Sequence, residues 1–278
     1  MTVIDGYTNS AIATISVAPN LLGIAVNPKT NKIFVASTTD NIVYVIDGFT
    51  NTVITSIPVG NGPIDIAVNP FTNRIYVVNV FSNNVSVING FTDAVIAMVP
   101  VGFTPQGIAI NPITNRIYVS STPESNVYVI DGDTNTVITS VSVVSGPVGL
   151  AVNPLTNAVY VANRGASDIS VIHGITNKVV HTIFVQPSPI FVGVNPLINR
   201  IYVSDLNGNI SVIDGFTNLV IQNIPQGFAL RKVAVNPLTN AVYIAQDFVN
   251  NILVLNGITN TINVIIGINN PFAIAVNP

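Results

Sequence analysis

The sequence predicts an all-β domain, a seven-bladed β-propeller of four-stranded antiparallel blades. Three observations predict it: a repeat of about 42 residues that fills the chain, short strands separated by turn signals, and strands apolar on both faces. An Asn-Pro pair recurs at Asn27, Asn69, Asn111, Asn153, Asn195, Asn236 and Asn277, in steps of 42, 42, 42, 42, 41 and 41 residues. A second marker, a polar residue before glycine, falls at Gly6, Gly48, Gly90, Gly132, Gly174, Gly215 and Gly257. Two markers holding one period argue for a single domain over residues 1–278.

Within a repeat the elements follow in order. In residues 64–100, Ile64–Val68 is a short apolar run stopped by Asn69-Pro70-Phe71-Thr72-Asn73. Proline presets φ for a turn, and asparagine tolerates the left-handed conformation that closes a hairpin. Ile75-Tyr76-Val77-Val78 has the β-branched and aromatic composition of a second strand. After the break Phe81-Ser82-Asn83-Asn84, Val85–Ile88 is a third strand, Asn89–Asp93 a tight turn, and Ala94–Val99 a fourth strand. The first strand carries a small residue at one fixed place, Ala25, Ala67, Ala109, Ala151, Gly193, Ala234 and Ala275, which suits the crowded position nearest the axis. A meander apolar on both faces must be covered on both, and radial packing of blades does so while leaving only short edges.

Counting strands exposes a seam. First, third and fourth strands number seven, but second strands number six, centred on Phe34, Tyr76, Tyr118, Tyr160, Tyr202 and Tyr243. The closing blade is expected to be shared between the termini and to lack one strand. Residues 272–276 would supply its first strand, and residues 2–5 and 12–17 its third and fourth. Three readings stay open: the missing strand lies in a longer parent protein, the ring closes on a narrowed blade, or a strand from another molecule fills the slot. A monomer is the expected state and a strand-exchanged oligomer the alternative.

Composition excludes several classes. Charged residues are 8% and hydrophobic residues 49%, yet no apolar run reaches the 18 residues of a membrane helix. Strands apolar on both faces do not fit a transmembrane barrel, so no membrane insertion is expected. Net charge is −3 with no basic stripe, so nucleic acid is not an expected partner. Cysteine is absent, which removes disulfides and thiolate metal sites.

Tyr76-Val77-Val78-Asn79 and Tyr160-Val161-Ala162-Asn163, framed by Ala-Val-Asn-Pro before and Val-Ser-Val-Ile-Asp/Asn/His-Gly after, resemble the YVTN family of β-propeller repeats. The resemblance covers essentially the whole chain. It implies a seven-bladed propeller, secreted or displayed on a bacterial or archaeal surface, used for adhesion or scaffolding, with no common catalytic motif. The first residues match the repeat rather than a signal peptide, so the targeting signal is expected outside this segment.

No constellation for catalysis emerges, and no cofactor, catalytic or metal residue is assigned. His173 stands at a turn position held elsewhere by Asp47, Asp131 and Asp214, and His181 lies on an outer strand. Neither a nucleophile elbow, a phosphate loop nor a calcium loop is found, and the Asp-Gly series offers one carboxylate per site. The two conserved turns share one face of the propeller. The other two connections vary between repeats and form the opposite face, where a recognition surface can be distinct. The binding residues expected there are Phe81, Phe103, Glu124, Arg164, Phe228, Arg231 and Phe248. The leading functional expectation is a non-catalytic extracellular binding or scaffolding module for a protein or cell-surface ligand. The alternative is a metal-dependent lyase or lactonase with a central-channel site, for which Asp65, Glu124 and Asp205 are the available carboxylates.

Overall fold

A computed structural model describes residues 1–246 and 248–278, without the side chains of 264–266. The chain opens with a two-stranded hairpin, β1 (Thr2–Asp5) and β2 (Ser10–Thr14). Blade 1 is β3 (Leu21–Asn27), β4 (Lys32–Ser37), β5 (Ile42–Asp47) and β6 (Thr52–Pro58). Blade 2 is β7 (Pro63–Asn69), β8 (Arg74–Asn79), β9 (Asn84–Asn89) and β10 (Ala94–Pro100). Blade 3 is β11 (Pro105–Asn111), β12 (Arg116–Ser121), β13 (Asn126–Asp131) and β14 (Thr136–Ser142). Blade 4 is β15 (Pro147–Asn153), β16 (Ala158–Asn163), β17 (Asp168–His173) and β18 (Lys178–Phe184). Blade 5 is β19 (Pro189–Asn195), β20 (Arg200–Asp205), β21 (Asn209–Asp214) and β22 (Leu219–Pro225). Blade 6 is β23 (Leu230–Asn236), β24 (Ala241–Gln246), β25 (Asn251–Asn256) and β26 (Ile262–Ile266). Each blade is an antiparallel meander in chain order, and no helix occurs among the described residues, so none is long and apolar enough to cross a membrane.

The turns hold their shape for the reason expected. The asparagine ending each Asn-Pro turn is left-handed, with φ between 47° and 59° at Asn31, Asn73, Asn115, Asn157, Asn199 and Asn240. An Asn or Asp at the end of each Gly turn does the same, as at Asn51 and Asp93. The residue before glycine closes an Asx turn. Asp47 Oδ1 accepts the amides of Phe49 at 2.7 Å and Thr50 at 3.0 Å, and Asn89 and Asn256 replace aspartate with the same bonds to the second residue on.

First strands of successive blades pack on one another, which places them innermost. The small residue in them is sterically required: a Cβ on Gly193 would lie 2.6 Å from Val233 Cγ1. Second strands are sealed, with Phe34, Tyr76, Tyr118 and Tyr202 fully buried. Each such side chain contributes roughly 1.5–3 kcal/mol by leaving water. The core is not one mass but a set of inter-blade clusters. One joins Phe34 and Val45 of blade 1 to Ile66, Ile75 and Val77 of blade 2, and others follow around the ring. This is why the strands are apolar on both faces.

The closing blade differs from the expectation. Among the described residues six four-stranded blades are present, not seven, and residues 271–278 form no ladder. The physical reason lies in the missing second strand: an extended segment becomes a strand only against a partner, and 272–276 has none beside it. The hairpin β1–β2 nevertheless stands beyond blade 6, since Tyr243 Oη donates to Gly6 O at 3.4 Å and packs with Ile4. Its other side covers blade 1, where Met1, Val3 and Val17 pack on Ile15, Val35 and Ile46. The fourth strand expected at 12–17 runs instead from Ser10 to Thr14.

A buried amide relay ties the ring together. In blades 1 to 5 the Nδ2 of the Asn-Pro asparagine donates to the Oδ1 of the left-handed asparagine in the next blade. The links are Asn27 to Asn73 at 2.6 Å, Asn69 to Asn115 at 2.7 Å, Asn111 to Asn157 at 2.7 Å, Asn153 to Asn199 at 2.6 Å and Asn195 to Asn240 at 2.9 Å. Asn277 donates likewise to Asn31 at 2.7 Å, joining the C-terminal segment to blade 1, whereas Asn236 of blade 6 makes no such link among the described residues and only accepts the amides of its own turn.

Candidate functional site

The variable connections gather at one end of the ring, tied in pairs by backbone bonds such as Val80 N–H to Gly62 O and Phe81 N–H to Asn61 O. At the centre of this face the first strands begin, and between them opens a cavity of about 580 Å³. The residue five places before each Asn-Pro asparagine lines it: Leu22, Ile64, Gln106, Val148, Ile190, Arg231 and Phe272. Seven equivalent positions carry six residue types here, whereas the turns at the other end repeat almost verbatim.

One place further along each first strand the sequence reads Gly23, Asp65, Gly107, Gly149, Phe191, Lys232 and Ala273. The three departures from a small residue meet across the axis. Lys232 Nζ lies 2.5 Å from Asp65 Oδ1, linking blades 6 and 2, and 5.3 Å from the centre of the Phe191 ring. Asp65 also accepts the amides of Ile66 at 3.0 Å and Ile108 at 3.2 Å. Such a largely buried pair holds a geometry rather than adding much net stability, and losing one partner costs more than losing both. The glycines on the remaining side are close-packed: a Cβ on Gly107 would come within 2.4 Å of Val148 O.

The seven predicted binding residues fall into separate groups. Arg164 and Arg231 line the axial cavity, with the Arg231 guanidinium 5.1 Å from the Phe272 ring centre. Phe103 and Glu124 share a second cavity of about 340 Å³ between blades 2 and 3, with Tyr128. Glu124 Oε2 accepts the Tyr128 hydroxyl at 2.7 Å and the Ser121 hydroxyl at 3.1 Å. That bond to the carboxylate holds the Tyr128 phenol above its usual range. Phe81, Phe228 and Phe248 are exposed at 74%, 52% and 79% but line neither cavity. The structure therefore places four of these residues in two cavities and three aromatics outside both, where the sequence pointed to one surface.

The carboxylates of the metal-enzyme alternative are not brought together. Asp65 is held on the axis by Lys232. Glu124 sits in the second cavity. Asp205 is consumed by the Asn207 and Asn209 amides and the Asn209 side chain. Among the described residues no three His, Cys, Asp or Glu side chains form a metal-binding group. His173 caps its turn through Thr176, and His181 lies exposed on β18.

The opposite face holds what sequence reasoning passed over. The variable residue of each Asn-Pro-x-Thr/Ile-Asn turn is Lys29, Phe71, Ile113, Leu155, Leu197 or Leu238, and that of each Gly-x turn is Tyr7, Phe49, Phe91, Asp133, Ile175, Phe216 or Ile258. Of these 6 + 7 = 13 positions, all but Lys29 and Asp133 are large and apolar, and each of those eleven is at least 59% exposed. The signal was present, since a solvent-facing turn position is ordinarily polar, but the regularity of the turns drew the reading towards structure alone.

No family model matches the chain, and no curated protein matches it. Among solved structures it is similar to Hydrazine Synthase of Kuenenia stuttgartiensis, with a TM-score of 0.76 and 21% identity, over 88% of this chain and 78% of that one. At that identity the likeness is one of fold, and the fold is a β-propeller.

Proposed function

We propose that this protein is a non-catalytic recognition module of the YVTN-repeat type, working outside the cell or on its surface. It holds a protein or cell-surface ligand through the variable end of a ring with seven positions. The hairpin β1–β2 and residues 272–276 take the seventh position. One observation carries the reading: the axial cavity is lined by one residue from each repeat position, and there the repeat breaks down residue by residue. A chain that copies its turns faithfully while diversifying one concave end concentrates its individuality where a ligand can be read. The neighbouring cavity of Phe103, Glu124 and Tyr128 extends the same face with an aromatic wall and a carboxylate.

The test uses beads coated with the domain and passed over immobilised protein and polysaccharide surfaces. Alanine at Phe81, Phe103, Phe228 and Phe248, together with Arg231→Ala, is expected to reduce retention at least about tenfold. Circular dichroism should be unchanged, because the four aromatics are exposed. Equal retention by wild type and variant would reject the variable face as the binding face. A stoichiometric metal ion in the purified protein would turn the reading towards the enzyme alternative.

A further inference from the structure

We infer that the conserved-turn face is a self-association surface, on which a second copy of the chain docks face to face. The eleven exposed apolar turn residues present on the order of 1,000 Å² of non-polar surface, given the 150–250 Å² that one aromatic side chain can bury. A stable interface needs roughly 800 Å² from each partner, so this face alone carries enough. None of these side chains has a structural task in its turn. The turn is closed by the asparagine and aspartate bonds and by the left-handed residue, not by the variable one.

Two features select a second copy as the occupant. The face repeats one motif around the ring, so it has no local landmark for an irregular partner, whereas an identical face offers the same spacing at every position. Its charges are also self-complementary. Lys32 pairs with Asp93 and Arg116 with Asp131 inside the face, which leaves no basic excess to draw it to anionic lipid. The two departures from apolar character are a cation, Lys29 in blade 1, and an anion, Asp133 in blade 3. A two-fold axis passing through blade 2 exchanges blades 1 and 3, so Lys29 of each copy faces the blade that carries Asp133 of the other. Lys29 now lies 4.1 Å from the Phe71 ring centre, within the face, and its long side chain can swing to that partner.

Sedimentation velocity and light scattering of the full chain test this. Wild type should be a concentration-dependent dimer. The triple variant Phe49→Ser, Phe91→Ser and Phe216→Ser, at positions 76–82% exposed, should keep its circular dichroism and melting temperature. Its dissociation constant should rise roughly 100-fold or more. Lys29→Asp should weaken the dimer about tenfold, and adding Asp133→Lys should restore it. A strictly monomeric wild type overturns the proposal, as does a dimer indifferent to the triple variant. If the monomer co-sediments with phosphatidylcholine vesicles and the triple variant does not, the face belongs to lipid and the dimer is wrong. Association unchanged by Lys29→Asp alone, or not restored by adding Asp133→Lys, overturns the blade-2 axis. The residues lie opposite the variable face, so failure here leaves the bead experiment unaffected.

Discussion

Tyr76 and Tyr202 occupy the same place in their repeats, yet their hydroxyl groups meet different fates. Tyr202 Oη donates to Gly257 O of the next blade at 3.1 Å, whereas Tyr76 Oη is buried with no hydrogen-bond partner among the described residues. Burial pushes both phenols up to about 12, so neither ionises near neutrality. A buried hydroxyl without a partner costs about 1–3 kcal/mol, while a satisfied one contributes about 1 kcal/mol net. Tyr76→Phe should therefore be neutral or stabilising by up to about 1 kcal/mol, and Tyr202→Phe destabilising by about 1 kcal/mol. Urea denaturation of the two variants checks this, and shifts of equal sign and size would contradict it.

At the scale of the element, the Asp-Gly turns link folding to pH. The Arg116 guanidinium beside Asp131, aided by the Thr134 and Asp133 amides, holds the Asp131 carboxyl down at about 2. In the unfolded chain the same group titrates near 3.9. A lowered folded value means stability that is present above about pH 4 and drains away as pH falls towards 2. Asp131→Asn cannot carry that term. The difference in denaturation midpoint between wild type and variant should be constant from neutrality to about pH 4 and shrink below it. A gap of constant size down to pH 2 would disprove the linkage.

Much of this level was legible beforehand. Repeat period, strand order, inner-strand small residues and the left-handed asparagines follow from local chemistry, and each repeat confirms the next. What could not be read depended on neighbours in space. Residues 272–276 carry a first-strand pattern, but pattern alone supplies no hydrogen-bonding partner. Lys232 and Asp65 are 167 residues apart, and only the ring brings them together. Phe103 and Glu124 were named separately, and the inter-blade packing made them one cavity. The apolar turn residues were visible and placed on one face, but pattern alone does not show that their side chains stand in solvent, each at least 59% exposed.

At the scale of the whole molecule, stability rests on closure. Residues 271–278 reach blade 1 through Asn277, and Ile274 and Val276 cover Tyr243, Ile252 and Val254 of blade 6. Deleting them should open the ring at that point first. Hydrogen exchange should lose protection in β1–β2 and in β24–β25, with β11–β13 of blade 3 nearly unchanged. Loss spread evenly over all blades would instead mark the ring as one indivisible cooperative unit.

The asparagine relay bears on how such a ring could grow or shrink. Blades 1 to 5 each bring one donor amide for the blade ahead, and blades 2 to 6 one acceptor for the blade behind. Duplicating or excising a single 42-residue copy would therefore leave every join chemically identical to those already present. Blade number is thus not written into the joints; it follows from the angle at which neighbouring sheets pack. A lineage using this unit could change circumference in one genetic step, without inventing a new contact.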